Sequence, residues 1–182
     1  MEWVLSVLVG VALSAACGFR IFVPMLVMSI AVHSGHLVPS DGFMWLGSWP
    51  ALVGFGVATV LEIAAYFIPL VNNALDVIAT PAAAVAGTVL TASLVGEISP
   101  FLRWSLAVVA GGAVAGGVQL ATVSLRSAVA PVGVSGVLAA AEDGAAVVTS
   151  LLAVTIPVLA IGFLGILGLF LLKRKHSQTN RV

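Results

Sequence analysis

Between Glu62 and Thr91 the chain gathers most of the side chains that could do chemistry. Glu62 and Tyr66 are four residues apart, so a helix puts them on one face. Asn72, Asn73, Asp76 and Thr80 follow, with Pro69 and Pro81 beside them. Carboxylates with amide and hydroxyl oxygens can ligate a cation or relay a proton. Arg20 and Arg126 lie elsewhere, each a few residues ahead of a proline. Guanidiniums at helix breaks suit an anion or a substrate carboxylate. With both signs present, these residue types leave the charge of a ligand open.

A charge at the centre of a membrane span costs about 2.5–3.5 kcal/mol, so Arg20, Glu62, Asp76 and Arg126 left unpaired would cost roughly 10–14 kcal/mol. Two cations and two anions therefore predict mutual neutralisation inside a helix bundle. Such pairs can also do no more than hold helices in register. Glu142 and Asp143 read either as a second carboxylate centre opposite the first or as a helix boundary at the interface. His33, His36 and Asp41 lack the further ligands a metal site needs, so no metal is expected. No phosphate loop, metalloprotease helix or nucleophile elbow occurs, and neither an enzyme nor a cofactor is expected.

The elements that must position these residues are set by lipid. The 182 residues are 61% hydrophobic and 8% charged, where a soluble domain carries about 25% charge. The mean hydropathy is +1.22. Seven basic and seven acidic residues balance, which gives no electrostatic case for nucleic acid. At roughly 20 residues per crossing, the length allows five or six transmembrane helices and short loops, with no soluble catalytic domain. The single cysteine, Cys17, excludes an intrachain disulfide. It is one residue too far from Leu13 for a lipoprotein cleavage site, and Met1-Glu2-Trp3 lacks a basic leader, so the first segment is expected as a retained helix.

Residues 3–32 are apolar for too long to be one ordinary span and are interrupted at Gly18-Phe19-Arg20 and Pro24. A long helix kinked near Arg20 and two half-helices both fit. Ser6, Gly10, Ser14 and Gly18 recur every fourth residue, a stripe that lets another helix approach closely. His33 to Trp49 reads as a loop with Trp45 and Trp49 as interfacial aromatics. Pro50 to Ile68 is the second span, stopped by Pro69. Asn73 is the expected N-cap of the third, which runs to about Val95. Its Asn72, Asp76, Thr80, Ala84, Gly87 and Thr91 fall on one face. That alternation of small and polar residues either packs tightly on a neighbour or borders a thin watery path. Phe101 to Val123 is the fourth span, with Gly112 and Gly116 as a packing signal; Gly112, Gly116, Gln119, Thr122 and Arg126 share a face. Arg126 to Ala141 reads as a short or re-entrant helix ended by Glu142-Asp143-Gly144, and Val147 to Leu172 as the last span, kinked at Pro157.

Leu13 to Arg20 with Pro24 loosely matches Ala121 to Arg126 with Pro131, which suggests halves 1–98 and 99–172 as an inverted repeat, a common transporter plan. The basic tail, 173–182, lies in the cytoplasm by the positive-inside rule.

At the Glu62 stretch the chain resembles bacterial membrane proteins grouped as domain of unknown function 4126. Glu62, Pro69, Asp76, Thr80 and Gly87 carry the likeness, joined by Gly18-Phe19-Arg20 with Pro24, Arg126 and Glu142-Asp143. Tyr66 and Phe67 stand where the family has an Asp-Lys pair, and Asn72 replaces an acid. The resemblance implies a multi-span membrane protein and brings no established activity.

These readings converge on an all-α integral membrane protein of the bacterial inner membrane, a single transmembrane domain over 1–172. The expected function is that of a transporter or channel-like protein for an ion or small solute. Glu62 and Asp76 would bind a cation or proton, Asn72, Asn73, Tyr66 and Thr80 would assist, and Arg20 and Arg126 would be counter-charges or anion ligands. The alternative is a non-transporting scaffold or accessory subunit. The expected partners are the lipid bilayer and further copies of the chain, through glycine-rich helix faces.

Overall fold

Helices whose outward side chains are Val77, Val85, Phe101, Val109 and Val137 cannot face water at that density, and all five are more than half exposed. In hydrocarbon every backbone polar group must be satisfied internally, which selects helices. The computed structural model describes residues 2–66, 69–96, 98–129, 135–156 and 159, with side chains at 2, 3, 66, 69–76, 129 and 135 left outside the description. Among the described residues there are helices and no strands.

The helices are α1 (Glu2–Cys17), α2 (Phe22–His33), α3 (Trp49–Tyr66), α4 (Pro69–Leu94), α5 (Pro100–Leu106), α6 (Ala113–Val129) and α7 (Ser135–Thr155). A π-helical stretch, Ala107–Gly112, joins α5 to α6 without interruption. Among the described residues, three helical segments are long and apolar enough to cross a membrane: Val77–Leu94, Pro100–Ala128 and Gly136–Thr155. Val4–Cys17, Phe22–His33 and Trp49–Ala65 are shorter apolar helices.

Helix α1 is the hub, packed against α4, α7 and α6, while α2 rests on α3, α7 and the 3-10 turn Met44–Gly47. The core is small and dense, with Leu13, Cys17, Met28, Leu46 and Leu90 fully buried. Phe19, Val23 and Ala146 form a second cluster at the far end of α1. Close approach is made by glycine. A Cβ on Gly87 would meet the Gly111 carbonyl oxygen at 2.9 Å, and one on Gly111 would meet that of Gly87 at 2.5 Å. Backbones of α4 and the π-helical stretch therefore touch where the small face of α4 predicted either a packed contact or a watery path. Along Gly87 to Thr91 that face is packed: Thr91 is fully buried and Ala86 nearly so.

Several expected boundaries move. Residues 3–32 keep to one of the two expected arrangements, two helices with the break at Gly18–Ile21 and Pro24 accommodated in the first turn of α2. Pro69 opens α4, so Asn73 lies inside that helix and is not its N-cap. Pro81 is carried within α4 without ending it, as membrane helices tolerate when neighbours re-satisfy the freed carbonyl. The fourth helix continues through Arg126 to Val129. Glu142-Asp143-Gly144 does not end a helix but sits in the middle of α7, and the residues from Val147 to Thr155 belong to that same helix. The physical reason is burial: Ala139, Glu142, Ala146, Thr149 and Ala153 are buried on one face of α7. That contact outweighs the roughly 1 kcal/mol a helical glycine costs. Pro131, Pro157 and the basic tail lie outside the described residues.

Candidate functional site

The break between α1 and α2 is where the charged groups collect. After Cys17 the chain tightens, with the N–H groups of Gly18, Phe19 and Arg20 donating back to the carbonyls of Ala15 and Ala16. Helix α2 then starts with Ile21 at its cap, a residue whose side chain cannot accept a hydrogen bond. The orphan N–H groups of a helix start need an acceptor, and it comes from another helix. Glu62 of α3 accepts from the Ile21 N–H through Oε1 at 2.8 Å and from the Phe22 N–H through Oε2 at 3.0 Å. A carboxylate facing the positive end of α2 is also favoured by the helix dipole.

Arg20 points the other way, into the bundle, and its side chain is fully buried. Its Nη1 donates to Glu142 Oε2 at 3.1 Å, its Nε to Asp143 Oδ1 at 2.5 Å, and its Nη2 to the Ala139 carbonyl at 3.3 Å. Arg126 of α6 reaches the same Glu142 oxygen through Nη2 at 2.5 Å. Buried ion pairs need further hydrogen bonds to offset desolvation, and Arg20 has one in its bond to the Ala139 carbonyl. One face of α6 feeds it: Thr122 donates to the Gly18 carbonyl at 3.4 Å, and Gln119 is buried beside it in sequence register.

A second polar contact lies further along α1. Ser14 Oγ is within 2.8 Å of the Gly10 carbonyl, 2.7 Å of the Gly87 carbonyl and 2.8 Å of Thr91 Oγ1. It ties α1 to α4 in the stripe of small residues. Serine and threonine bonds of this kind are how membrane helices hold one another.

Glu62 also lines a cavity of about 500 Å³ between α2, α3 and α4. Phe22, Leu61, Ala65 and Ile78 are among its walls, and Glu62 is the one polar side chain among the described residues that line it. Leu61 and Ile78 are both largely exposed, so the cavity opens on the outer flank of the bundle.

The predicted site residues thus divide. Arg20, Arg126, Glu142 and Asp143 come together as one cluster, and Glu62 joins it through the two backbone amides that follow Arg20. Glu142-Asp143 is not a separate centre opposite the first, because Glu142 is the acid on which both arginines meet. Thr80 is half-buried on α4 and is not a lining residue of the cavity. Asn72, Asn73, Asp76 and Tyr66 are in helices, but their side chains lie outside the described residues. His33 and His36 hydrogen-bond locally, to the Gly47 carbonyl and to Ser34. Sequence reasoning missed the pairing of Arg20 with α7. Its signal was present in the three- and four-residue spacing of Ala139, Glu142, Ala146 and Thr149, which runs straight through Gly144.

Neither a comparison with curated proteins nor one with solved structures returned a match. Residues 7–175 match the family described as domain of unknown function DUF4126. With helices of membrane-spanning length and a match over nearly its whole length, this chain belongs to the DUF4126 family.

Proposed function

We propose that this protein is a small, non-enzymatic transporter or channel-like protein of a bacterial inner membrane, for an ion or small solute exchanged at Glu62. One observation carries this reading. The Glu62 carboxylate stands at once on a helix break and on the wall of a cavity that opens on the flank of the bundle. Broken helices with a charged group at the half-helix end are a recurrent way to build a transport site. In the same proposal the bundle crosses the membrane five or six times, with the basic tail in the cytoplasm.

The charge balance supports exchange. Among the described residues of the centre, Glu62, Glu142 and Asp143 stand against Arg20 and Arg126. Three carboxylates and two guanidiniums leave one negative charge, which in a low dielectric calls for a proton or a cation. The four-charge cluster is the fixed part, and Glu62 is the group that changes partner. Self-association belongs to the proposal too. Gly10, Gly18, Gly87, Gly111 and Gly112 are closely covered within the chain, whereas Gly54 and Gly56 on α3 have open space beside them.

The burial of Arg20 and Glu142 favours a second reading, a scaffold in which these charges only lock helices. Purified protein in liposomes separates the two. Under the transport reading, proton or alkali-cation flux is present in the wild type and lost in Glu62→Gln, while the variant remains folded. Wild-type liposomes with no flux of protons, Na⁺ or K⁺ above protein-free liposomes overturn transport of these ions.

A further inference from the structure

We infer that the Glu62 cavity takes a hydrophobic organic monocation, a lipophilic ammonium or phosphonium. This inference rests on the transport reading and names its substrate class. The described walls offer little to a bare inorganic ion. Hard cations take about six to eight oxygen ligands at short range. Glu62 is the single polar side chain among the described lining residues. Each of its oxygens already accepts one backbone N–H. A carboxylate has about four acceptor positions, so roughly half remain for a ligand. That is enough to neutralise one positive charge and far too little to replace a hydration shell.

The same walls favour a cation that carries its own apolar surface. Phe22, Leu61, Ala65 and Ile78 surround the carboxylate with hydrocarbon, and Phe22 brings an aromatic ring to a site for positive charge. At about 500 Å³ the volume is in the range of sites for drug-sized ligands, roughly 300–1,000 Å³, which are mostly apolar with a few placed polar groups. Access agrees with this choice. Leu61 and Ile78 line the cavity and are exposed on the lipid-facing flank. A hydrophobic cation that has partitioned into the bilayer can enter there sideways, where a hydrated ion could not.

The test is equilibrium binding of tetraphenylphosphonium to the purified full-length protein, compared with tetraphenylborate, an ion of the same shape and opposite charge. Tetraphenylphosphonium binds saturably and tetraphenylborate does not. Glu62→Gln weakens that binding by about tenfold or more, which reads the charge. Ala82→Phe fills the cavity while leaving Glu62 in the chain and weakens binding as much, so the test survives if one variant fails to fold. Equal binding of the two ions, or affinities within about twofold of wild type in both variants, overturns the inference. Liposome flux keeps the two proposals apart. Glu62-dependent proton or K⁺ flux without tetraphenylphosphonium binding overturns the hydrophobic cation and leaves transport standing. Binding that depends on Glu62, with no movement of the cation or of protons across the bilayer, overturns transport and leaves the site.

Discussion

Arg20 and Arg126, from opposite halves of the chain, donate to the same oxygen of Glu142, at 3.1 Å and 2.5 Å. Two guanidiniums can approach one carboxylate oxygen only because negative charge there, and on Asp143 beside it, outweighs their repulsion. This shared acceptor joins the α1–α2 break, α6 and α7 at a single point. It is also the place where removal of one side chain takes an acceptor from two buried guanidiniums at once.

Glu142→Ala should therefore be among the most damaging single substitutions. Removing one partner of a buried ion pair costs about 3–5 kcal/mol. Asp143→Ala should cost less, since the Asp143 side chain is 21% exposed and Arg20 keeps Glu142. Thermal denaturation in detergent ranks the two; a milder effect for Glu142→Ala would contradict the shared-acceptor geometry.

Glu62→Leu should loosen the start of α2. Two backbone donors lose their acceptor, each at about 1–3 kcal/mol for a buried group left unmade. Amide hydrogen exchange reads this directly: protection at Ile21 and Phe22 should fall, and that in α6 should not. Glu62→Gln keeps one acceptor oxygen and should lose less protection than Glu62→Leu.

The contact between α4 and the π-helical stretch predicts a contrast between glycines. Gly111→Ala drives a methyl group into the Gly87 carbonyl and the Thr91 side chain, and overpacking of that kind costs about 1–3 kcal/mol. Gly54→Ala on α3 meets nothing within 4 Å and should be neutral or stabilising by up to about 1 kcal/mol through helix propensity. Unfolding midpoints of the two variants should move in opposite directions or, at the least, by clearly different amounts.

Ser14→Ala removes a hydroxyl that bridges the Gly10 and Gly87 carbonyls and Thr91. Interhelical hydrogen bonds in membranes are worth about 0.6 kcal/mol on average and about 1.7 at most. A loss in that range is expected. Thr91→Ala in the Ser14→Ala background should add less than it does alone, because the two hydroxyls share one bond.

Composition by itself pointed to lipid as the solvent and to the helical class, and Gly18-Phe19-Arg20 with Pro24 marked a kink or a break near Arg20. Lipid leaves so few ways to satisfy a backbone that 61% hydrophobic residues and a handful of charges suffice for those conclusions. The sequence also singled out Arg20, Arg126, Glu62 and Glu142-Asp143, because ionised side chains in hydrocarbon are conspicuous whatever their partners. Tertiary structure decided who meets whom. Gly144 reads locally as a stop, yet α7 runs through it, as α4 runs through Pro81, because helix-on-helix burial exceeds the local penalty of either residue. Likewise Glu62 turned out to cap a distant helix start, a role that depends on where α3 stands against α2. Spacing along the chain records which residues share a face. It does not record which face of which helix lies opposite, and that is settled only by packing the whole bundle at once.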